Sequence, residues 1–277
     1  MKFDKRITPI RNGLASKDYA GLIKNCSFVK GDFYTVRSTY SPLYSEKKQK
    51  NLISQLLFGE YFKVFDLSEG MAWGQCTRDK YVGYTPIQNL TKKKIIPNHK
   101  VRSLRTFIYR SPSIKMDPLN YLSFNSLVKV SKRKNNFSYI PSLGWSISKN
   151  LTQSNNNTLD LYEIAIQYLQ TPYLWGGRDS MGIDCSGLVQ NLFQSIGINL
   201  PRDTDLQEEY LSNNIHESKL KTGDLIFWKG HVAMALDNKN IIHANAFHMK
   251  TQTESLKNAK KRISKEYGNI SKICRIL

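Results

Sequence analysis

The residues best suited to chemistry are Cys185 and two histidines, His231 and His243. Cys185 follows Asp184, and the apolar residues after it recur at a helical period. Asp184 is a good N-cap residue, so Cys185 is predicted to open a helix. The positive end of a helix dipole favours the thiolate, the nucleophilic form of cysteine. The alternative is a small, buried core cysteine.

The two histidines are predicted to lie on neighbouring strands. His231 opens one strand, and His243 lies in the next, beyond a turn at residues 237–240. They share a face if the connection has an odd number of residues, and they lie on opposite faces if the turn is a tight two-residue one. On a shared face, one imidazole can take the thiol proton while the other orients it. The alternative is two ordinary histidines on a half-buried sheet.

The elements that must position these residues are predicted as helices followed by an antiparallel sheet, an α+β arrangement. Helices are expected from Thr158, as the cap, to Gln170, then after Cys185, and from Pro201 to Tyr210. Strands are expected at 225–228, 231–236, 241–246 and 270–276, and the segment 250–268 is expected to be polar helix and loop.

Upstream residues are predicted to form small β modules. Residues 33–90 show closely spaced short strands, which are typical of a small barrel. The Val-Arg-Ser of residues 36–38 returns 65 residues later, and residues 83–86 are echoed at a shorter offset by residues 138–141. Such recurrence indicates a duplicated module. We therefore expect an arm of irregular structure (1–32), a first barrel (33–92), a second, shorter barrel (98–150) and a C-terminal domain (158–277).

Composition narrows the class of protein. The 277 residues include 41 Lys and Arg against 22 Asp and Glu, a formal charge of +19. The lysines are dispersed, without an arginine-rich helix, so a solvated basic surface is favoured over nucleic-acid recognition. The four cysteines form no CxxC pair, which argues against a metal site and against a disulfide scaffold. We see no signal sequence and no membrane-spanning stretch, and expect a cytoplasmic protein.

Six ordered motifs within residues 160–277 resemble those of the NlpC-type cysteine peptidases of bacterial cell-wall metabolism. They are Pro-Tyr-x-Trp-Gly-Gly, Asp-Cys-Ser-Gly, Pro-Arg-Asp-Thr, Gly-Asp-Leu-Ile-Phe, Gly-His-Val-Ala-Met and Ile-His-Ala. The upstream repeats resemble bacterial SH3-like barrels. The chain is similar to γ-D-glutamyl-L-diamino-acid endopeptidases, which implies a papain-like α+β C-terminal domain preceded by two small all-β SH3-like barrels.

The resemblance implies catalytic roles. Cys185 is the expected nucleophile, His231 the general base and later the acid, and His243 the residue that orients His231. The backbone N–H of Cys185, helped by Tyr173, is expected to stabilise the oxyanion. No metal and no cofactor are implied.

The resemblance also implies how substrate is held. Ser186 and Asp203, with Glu60 and Tyr81 from the first barrel, match positions that anchor the free amine of an N-terminal L-Ala. Asp184 and Trp175, from the same motifs, complete the expected substrate-binding set. For Glu60 and Asp203 the alternative is surface capping or salt bridging.

The sequence therefore predicts a monomeric endopeptidase that cuts the γ-D-Glu–diamino acid bond of small murein peptides, L-Ala-γ-D-Glu-diamino acid, during recycling. A secreted hydrolase of polymeric peptidoglycan is one alternative, and the positive charge would suit an anionic wall. The others are an inactive wall- or peptide-binding protein on the same fold and a related acyltransferase.

Overall fold

The computed structural model describes residues 3–11 and 13–277, so Met1, Lys2 and Asn12 of the predicted arm lie outside the described residues. The chain divides into two compact units, residues 1–154 and 155–277. Within the described ranges, we find no helix with the length and apolar character needed to cross a membrane.

The N-terminal arm forms a small sheet, so the prediction of irregular structure is wrong. Its strands are β1 (Ile10–Arg11), β2 (Leu14–Ser16) and β3 (Ser27–Val29). β2 pairs antiparallel with β1 and parallel with β3. The Arg11 guanidinium lies 4.6 Å from the centre of the Trp73 ring and donates a hydrogen bond of 3.0 Å to the Tyr84 hydroxyl. These contacts tie the arm to the first barrel, which short-range sequence patterns do not reveal.

The first barrel is a seven-stranded sheet with the order β10-β4-β7-β8-β9-β5-β6. Its strands are β4 (Asp32–Val36), β5 (Tyr40–Tyr44), β6 (Leu52–Leu57), β7 (Tyr61–Ser68), β8 (Met71–Cys76), β9 (Val82–Pro86) and β10 (Leu90–Thr91). Alternate residues of these strands point inward, and Val36, Leu43 and Phe62 are fully buried in the core.

The second module consists of a five-stranded sheet, β13-β12-β17-β16-β15, and a three-stranded one, β14-β11-β18. Its strands are β11 (His99–Val101), β12 (Arg105–Tyr109), β13 (Pro118–Ser123), β14 (Leu127–Val128), β15 (Lys132–Lys134), β16 (Phe137–Ile140), β17 (Gly144–Ile147) and β18 (Leu151–Gln153). Val101, Ile108 and Val128 lie in its core, together with Phe58 from the first barrel.

The two modules repeat the same pairing at equivalent tyrosines. Tyr44 pairs with Tyr84, and Tyr109 pairs with Trp145. The partner ladders of β5 and β12 both shift register immediately before that tyrosine. The duplication is therefore visible in the structure. Trp145 is the equivalent of Tyr84, so the proposed echo at residues 138–141 is wrong, because that segment lies on the preceding strand.

The C-terminal unit combines four α-helices, within its described residues, with an antiparallel sheet of order β24-β23-β22-β21-β25. The helices are α1 (Leu161–Gln167), α2 (Cys185–Ser195), α3 (Thr204–Tyr210) and α4 (Leu256–Tyr267). The sheet strands are β21 (Leu225–Trp228), β22 (His231–Ala235), β23 (Asn240–Asn245), β24 (Lys250–Ser255) and β25 (Lys272–Cys274), and a separate pair is β19 (Arg178–Asp179) with β20 (Gly182–Ile183). The predicted α+β arrangement of this part is confirmed.

Two local predictions differ from the structure of this unit. Asp160, rather than Thr158, caps α1, because its carboxylate accepts the backbone N–H groups of Tyr162 and Glu163. Thr158 instead hydrogen-bonds to Asn156. The segment expected to be polar helix and loop begins with strand β24, which pairs with β23 along its whole length.

The core of the unit follows the predicted apolar stripe. Leu188, Val189, Leu192 and Phe193 on α2 are fully buried, and α2 packs against β22 and β23. Removing these four apolar side chains from water is the main driving force for packing the helix on the sheet. The packing fixes the first residue of α2 against the sheet.

Candidate active site

His231 and His243 lie on one face of the β22–β23 hairpin. Met234 pairs with Ile242, and this register leaves a three-residue turn at 237–239. The connection is therefore odd in length, as a shared face requires. The two rings are in contact, with Nε2 of His231 2.9 Å from Nδ1 of His243.

Cys185 is the first residue of α2, and its side chain is buried. Asp184 caps the helix by accepting the Gly187 N–H at 2.7 Å, so the predicted cap and helix start are confirmed. The thiol accepts a hydrogen bond from the backbone N–H of Val232, the residue next to His231. The N–H of Cys185, in the first turn, has no partner within the helix and can serve an oxyanion.

A buried ion pair fixes the start of this helix. The Arg202 guanidinium, 1% exposed, donates to both carboxylate oxygens of Asp184, at 3.0 and 2.6 Å. It also donates to the Ser186 hydroxyl at 2.8 Å, and the Gly176 N–H donates to Asp184 at 2.8 Å. Asp184 and Ser186 thus have internal partners, and their contacts with substrate stay predictions.

The loop of the Pro-Tyr-x-Trp-Gly-Gly motif lies directly against the helix start. A Cβ atom at Gly187 would be 2.3 Å from the carbonyl oxygen of Gly177, so this approach requires glycine. The loop carries Tyr173, whose backbone N–H donates to the carbonyl of Met249, and Trp175, which is 70% exposed. Trp175 is therefore available to a ligand.

Tyr173 is suited to donate a hydrogen bond. Burial raises the pKa of its phenol, and the charges of Cys185, when it is ionised, and of Asp184 raise the pKa further. The phenol therefore stays protonated at neutral pH. The role of Tyr173 as a donor to the oxyanion stays a prediction.

Burial of Cys185 opposes the effect that the helix dipole was predicted to have on its thiol. Burial, followed by the Asp184 carboxylate, raises the pKa of Cys185 to about 11. Burial, followed by the charge of His243, lowers the pKa of His231 to about 3. Desolvation of the charged sulfur here outweighs the partial charge of the helix dipole. A base is therefore needed to remove the proton of Cys185, and His231 is the one that the sequence predicts.

Several residues at the site were missed by sequence reasoning. Thr204, the last residue of the Pro-Arg-Asp-Thr motif, places its hydroxyl 3.8 Å from the Cys185 sulfur. Glu254 on β24 lies 3.3 Å from Nε2 of His243 and forms an ion pair of 2.5 Å with Arg262 on α4. Thr204 could have been found from its motif, whereas Glu254 and Arg262 carry no sequence signal.

One cluster has the composition of a metal site. His243, His248 and Glu254 each bring a ligand atom within 4.8 Å of the others. His248 was assigned no role from sequence. Because His243 already contacts His231 and Glu254 is already neutralised by Arg262, we derive no catalytic step from a metal here.

The other predicted anchoring residues have varied surroundings. Asp203 is half-buried at the N-cap position of α3, and its side chain makes no capping hydrogen bond. In the first barrel, the buried Glu60 carboxylate accepts the Leu57 N–H at 2.9 Å and pairs with Arg78 at 3.0 Å. Tyr81 is also buried in that barrel. Roles for these three residues in substrate binding stay predictions.

The lowered pKa of His231 predicts an acid-sensitive C-terminal unit. The unfolded chain takes up this proton below about pH 6.5, whereas the folded imidazole resists it down to about pH 3. Folding stability is therefore expected to fall as pH decreases through this window, and His231→Gln should weaken that fall. Urea midpoints at pH 7.5 and 4.5 measure it. The exposed His216→Gln serves as control, and equal pH dependence in wild type and His231→Gln would contradict the prediction.

Comparison with known proteins assigns families to both units. Residues 170–267 match the NlpC/P60 family, and residues 43–90 match the bacterial dipeptidyl-peptidase Sh3 domain. A crystal structure of an NlpC/P60 family protein from Bacillus cereus superimposes with a TM-score of 0.74 at 20% identity, over 88% of this chain and 99% of that one. That similarity is one of fold.

The names of curated relatives agree with these two family matches. The gamma-D-glutamyl-L-lysine dipeptidyl-peptidase of Bacillus subtilis is 28% identical over 69% of this chain and 71% of its own length. Dipeptidyl-peptidase 6 of Lysinibacillus sphaericus is 36% identical over 31% of this chain, and the match spans only 32% of that relative. The chain therefore carries an NlpC/P60 domain, of the endopeptidase and peptidoglycan hydrolase family, together with a bacterial dipeptidyl-peptidase Sh3 domain.

Proposed function

We propose that this chain is a cysteine endopeptidase that hydrolyses the bond between γ-D-Glu and a diamino acid in murein peptides with a free N-terminal L-Ala. The observation that carries the proposal is the contact between His231 and His243, 2.9 Å apart, beside the helix that begins at Cys185. A monomeric enzyme that recycles such peptides in the cytoplasm is part of the proposal.

The side chains account for each step of the reaction. The Cys185 sulfur attacks the γ-carbonyl carbon of D-Glu while its proton passes to Nδ1 of His231, the nitrogen that His243 does not occupy. The Cys185 N–H and the Tyr173 hydroxyl stabilise the oxyanion. His231 then returns the proton to the leaving amine as the C–N bond breaks. Water, activated by His231, hydrolyses the thioester and regenerates the thiol.

The free amine is supported by two observations. The Bacillus subtilis relative is named a dipeptidyl-peptidase acting at γ-D-glutamyl-L-lysine, and removal of a dipeptide implies recognition of a free amino terminus. Asp203 directly precedes Thr204, whose hydroxyl lies 3.8 Å from the Cys185 sulfur. A carboxylate facing an ammonium group forms a charge-assisted hydrogen bond, so Asp203 is our candidate for this contact.

Asp203→Asn is expected to reduce kcat/KM for L-Ala-γ-D-Glu-diaminopimelate by about 10- to 100-fold, because a hydrogen bond to a charged group contributes about 1.5–3 kcal/mol. Hydrolysis of the N-acetylated peptide, which has no ammonium group, should be slow and unchanged by the substitution. Equal losses on both peptides would assign Asp203 to the structure of α3 instead. Glu209→Gln, on the same helix, is the matched control.

Intact sacculi and the peptide with lysine in place of diaminopimelate complete the assay. Hydrolysis of the free-amine peptides alone supports recycling. Equal hydrolysis of sacculi would favour a hydrolase of polymeric wall, which the family also contains. Failure to cut any of them, with Cys185 intact, would exclude the proposed hydrolysis.

A further inference from the structure

We propose that Glu254, held by Arg262, is a positioning residue that sets the tautomers of both active-site histidines. This inference rests on the proposed function for its meaning, since a fixed tautomer matters only if His231 is a base. Glu254 lies on β24 and Arg262 on α4, so both come from outside the motifs that carry the nucleophile and the histidines.

Two close contacts and one longer approach connect Arg262 to His231. Arg262 Nη2 lies 2.5 Å from Oε2 of Glu254. The same oxygen lies 3.3 Å from Nε2 of His243, at ion-pair distance but outside hydrogen-bond geometry, and Nε2 has no other hydrogen-bond partner among the described residues. His243 Nδ1 in turn lies 2.9 Å from Nε2 of His231. Each neutral imidazole has one N–H and one acceptor nitrogen. The position of the hydrogen on His243 therefore determines which nitrogen of His231 carries a hydrogen.

The charge of Glu254 determines where the hydrogens lie along these contacts. The Arg262 guanidinium contacts both oxygens of its carboxyl, at 2.5 and 3.4 Å, which favours the charged carboxylate. As a carboxylate it can only accept, so Nε2 of His243 carries the hydrogen and Nδ1 is the acceptor. Nε2 of His231 must then be the donor, which leaves its Nδ1 free to take a proton from Cys185.

The reverse arrangement would disable the base. If Nδ1 of His243 carried the hydrogen, Nε2 of His231 would accept it, and Nδ1 of His231 would already be protonated. A neutral imidazole in that tautomer cannot receive the thiol proton. His243 is fully buried within the sheet. Glu254 therefore excludes the unproductive tautomer.

Arg262 keeps Glu254 in place without supplying a proton. Its guanidinium also lies 4.5 Å from the centre of the Phe247 ring, so both this ring and the Glu254 carboxylate contact it. Arginine cannot be deprotonated in a protein, so it stabilises the carboxylate over the whole working range of pH. The Glu254 carboxylate therefore remains a hydrogen-bond acceptor next to His243.

The test replaces Glu254 by methionine, which removes the acceptor and keeps similar volume, and by glutamine, which keeps an acceptor oxygen. In ¹⁵N-histidine-labelled protein, His231 and His243 should both show a protonated Nε2 and an unprotonated Nδ1. Glu254→Met should convert both rings to mixed tautomers, and Glu254→Gln should restore the wild-type pattern in large part. His231→Gln and His243→Gln variants assign the signals.

Activity provides the second measurement. Glu254→Met should lower kcat on the order of tenfold, as loss of an orienting partner does at other sites. KM should be unchanged, because Glu254 acts through His243. The matched control is Glu217→Met. It removes the carboxylate that lies 2.7 Å from the ammonium group of Lys260, which is on the same helix as Arg262. This variant should alter neither the tautomers nor kcat.

The outcomes separate the two proposals. Unchanged tautomers in Glu254→Met would overturn the inference, even if stability or activity fell. Fixed tautomers in wild type that are lost in Glu254→Met would support it, and this readout needs no substrate. A chain that shows them but cuts none of the murein peptides would refute the proposed function and leave the positioning role intact.

Discussion

Cys185→Ala is expected to abolish hydrolysis of L-Ala-γ-D-Glu-diaminopimelate, with kcat at least about 10⁴-fold below that of the wild type. Without the sulfur there is no thioester, and His231 has no proton to accept. Because the side chain is small and buried at a helix start, the variant should fold normally. Steady-state release of the diamino acid measures the effect.

Cys274 provides the matched control. It is a buried, unpaired cysteine on β25 of the same unit, so Cys274→Ala removes a thiol of equal size without touching the site. Its activity should equal that of the wild type. Residual hydrolysis by Cys185→Ala above one-tenth of the wild-type rate would mean that another group performs the attack.

Arg202→Met is expected to destabilise the C-terminal unit by about 3–5 kcal/mol, the usual result of leaving one member of a buried ion pair alone. Asp184 would remain buried and charged beside the first turn of α2, and Ser186 would lose a donor. The start of the helix and the position of Cys185 should both suffer. Activity is therefore expected to fall together with stability.

Stability of this unit alone can be followed through Cys274. In a Cys185→Ala background it is the remaining cysteine of residues 155–277, and its labelling by a thiol reagent requires the unit to open. Labelling should accelerate strongly in Arg202→Met and partly recover in the double variant with Asp184→Asn. Lys260→Met breaks a half-exposed pair and should cost less than about 1 kcal/mol. Equal labelling rates in Arg202→Met and Lys260→Met would show that the buried ion pair contributes no more to stability than the half-exposed one.

The three candidate catalytic residues could be found from the sequence because each stands in a strong local pattern. Cys185 follows a capping residue and precedes an apolar stripe, and the strands of His231 and His243 are marked by runs of apolar residues. Periodicity indicates which residues face the core. It also showed that His231 and His243 share a face if the connection between their strands has an odd number of residues. The pattern did not give the length of that connection.

The remaining parts of the site depend on contacts between distant segments. Glu254 lies in β24, whose sequence is too polar to indicate a strand, and it meets Arg262 only because α4 folds back beside that strand. The raised pKa of Cys185 could not be read from the sequence for a similar reason, since helix position is visible in sequence whereas the depth of burial is not. The fold of the arm likewise depends on Trp73 and Tyr84, more than 60 residues away.

The turn at residues 237–239 gives the active site an unusual sensitivity to insertions and deletions. Asp237 closes this turn by accepting the N–H groups of Lys239 and Asn240, and nothing in it contacts the histidines. Yet side chains alternate along β23, so one residue more or less would turn His243 to the far side of the sheet if the turn kept its length and the pairing of β22 with β23 shifted by one residue. The number of residues in this turn therefore constrains the active site more than their identity does.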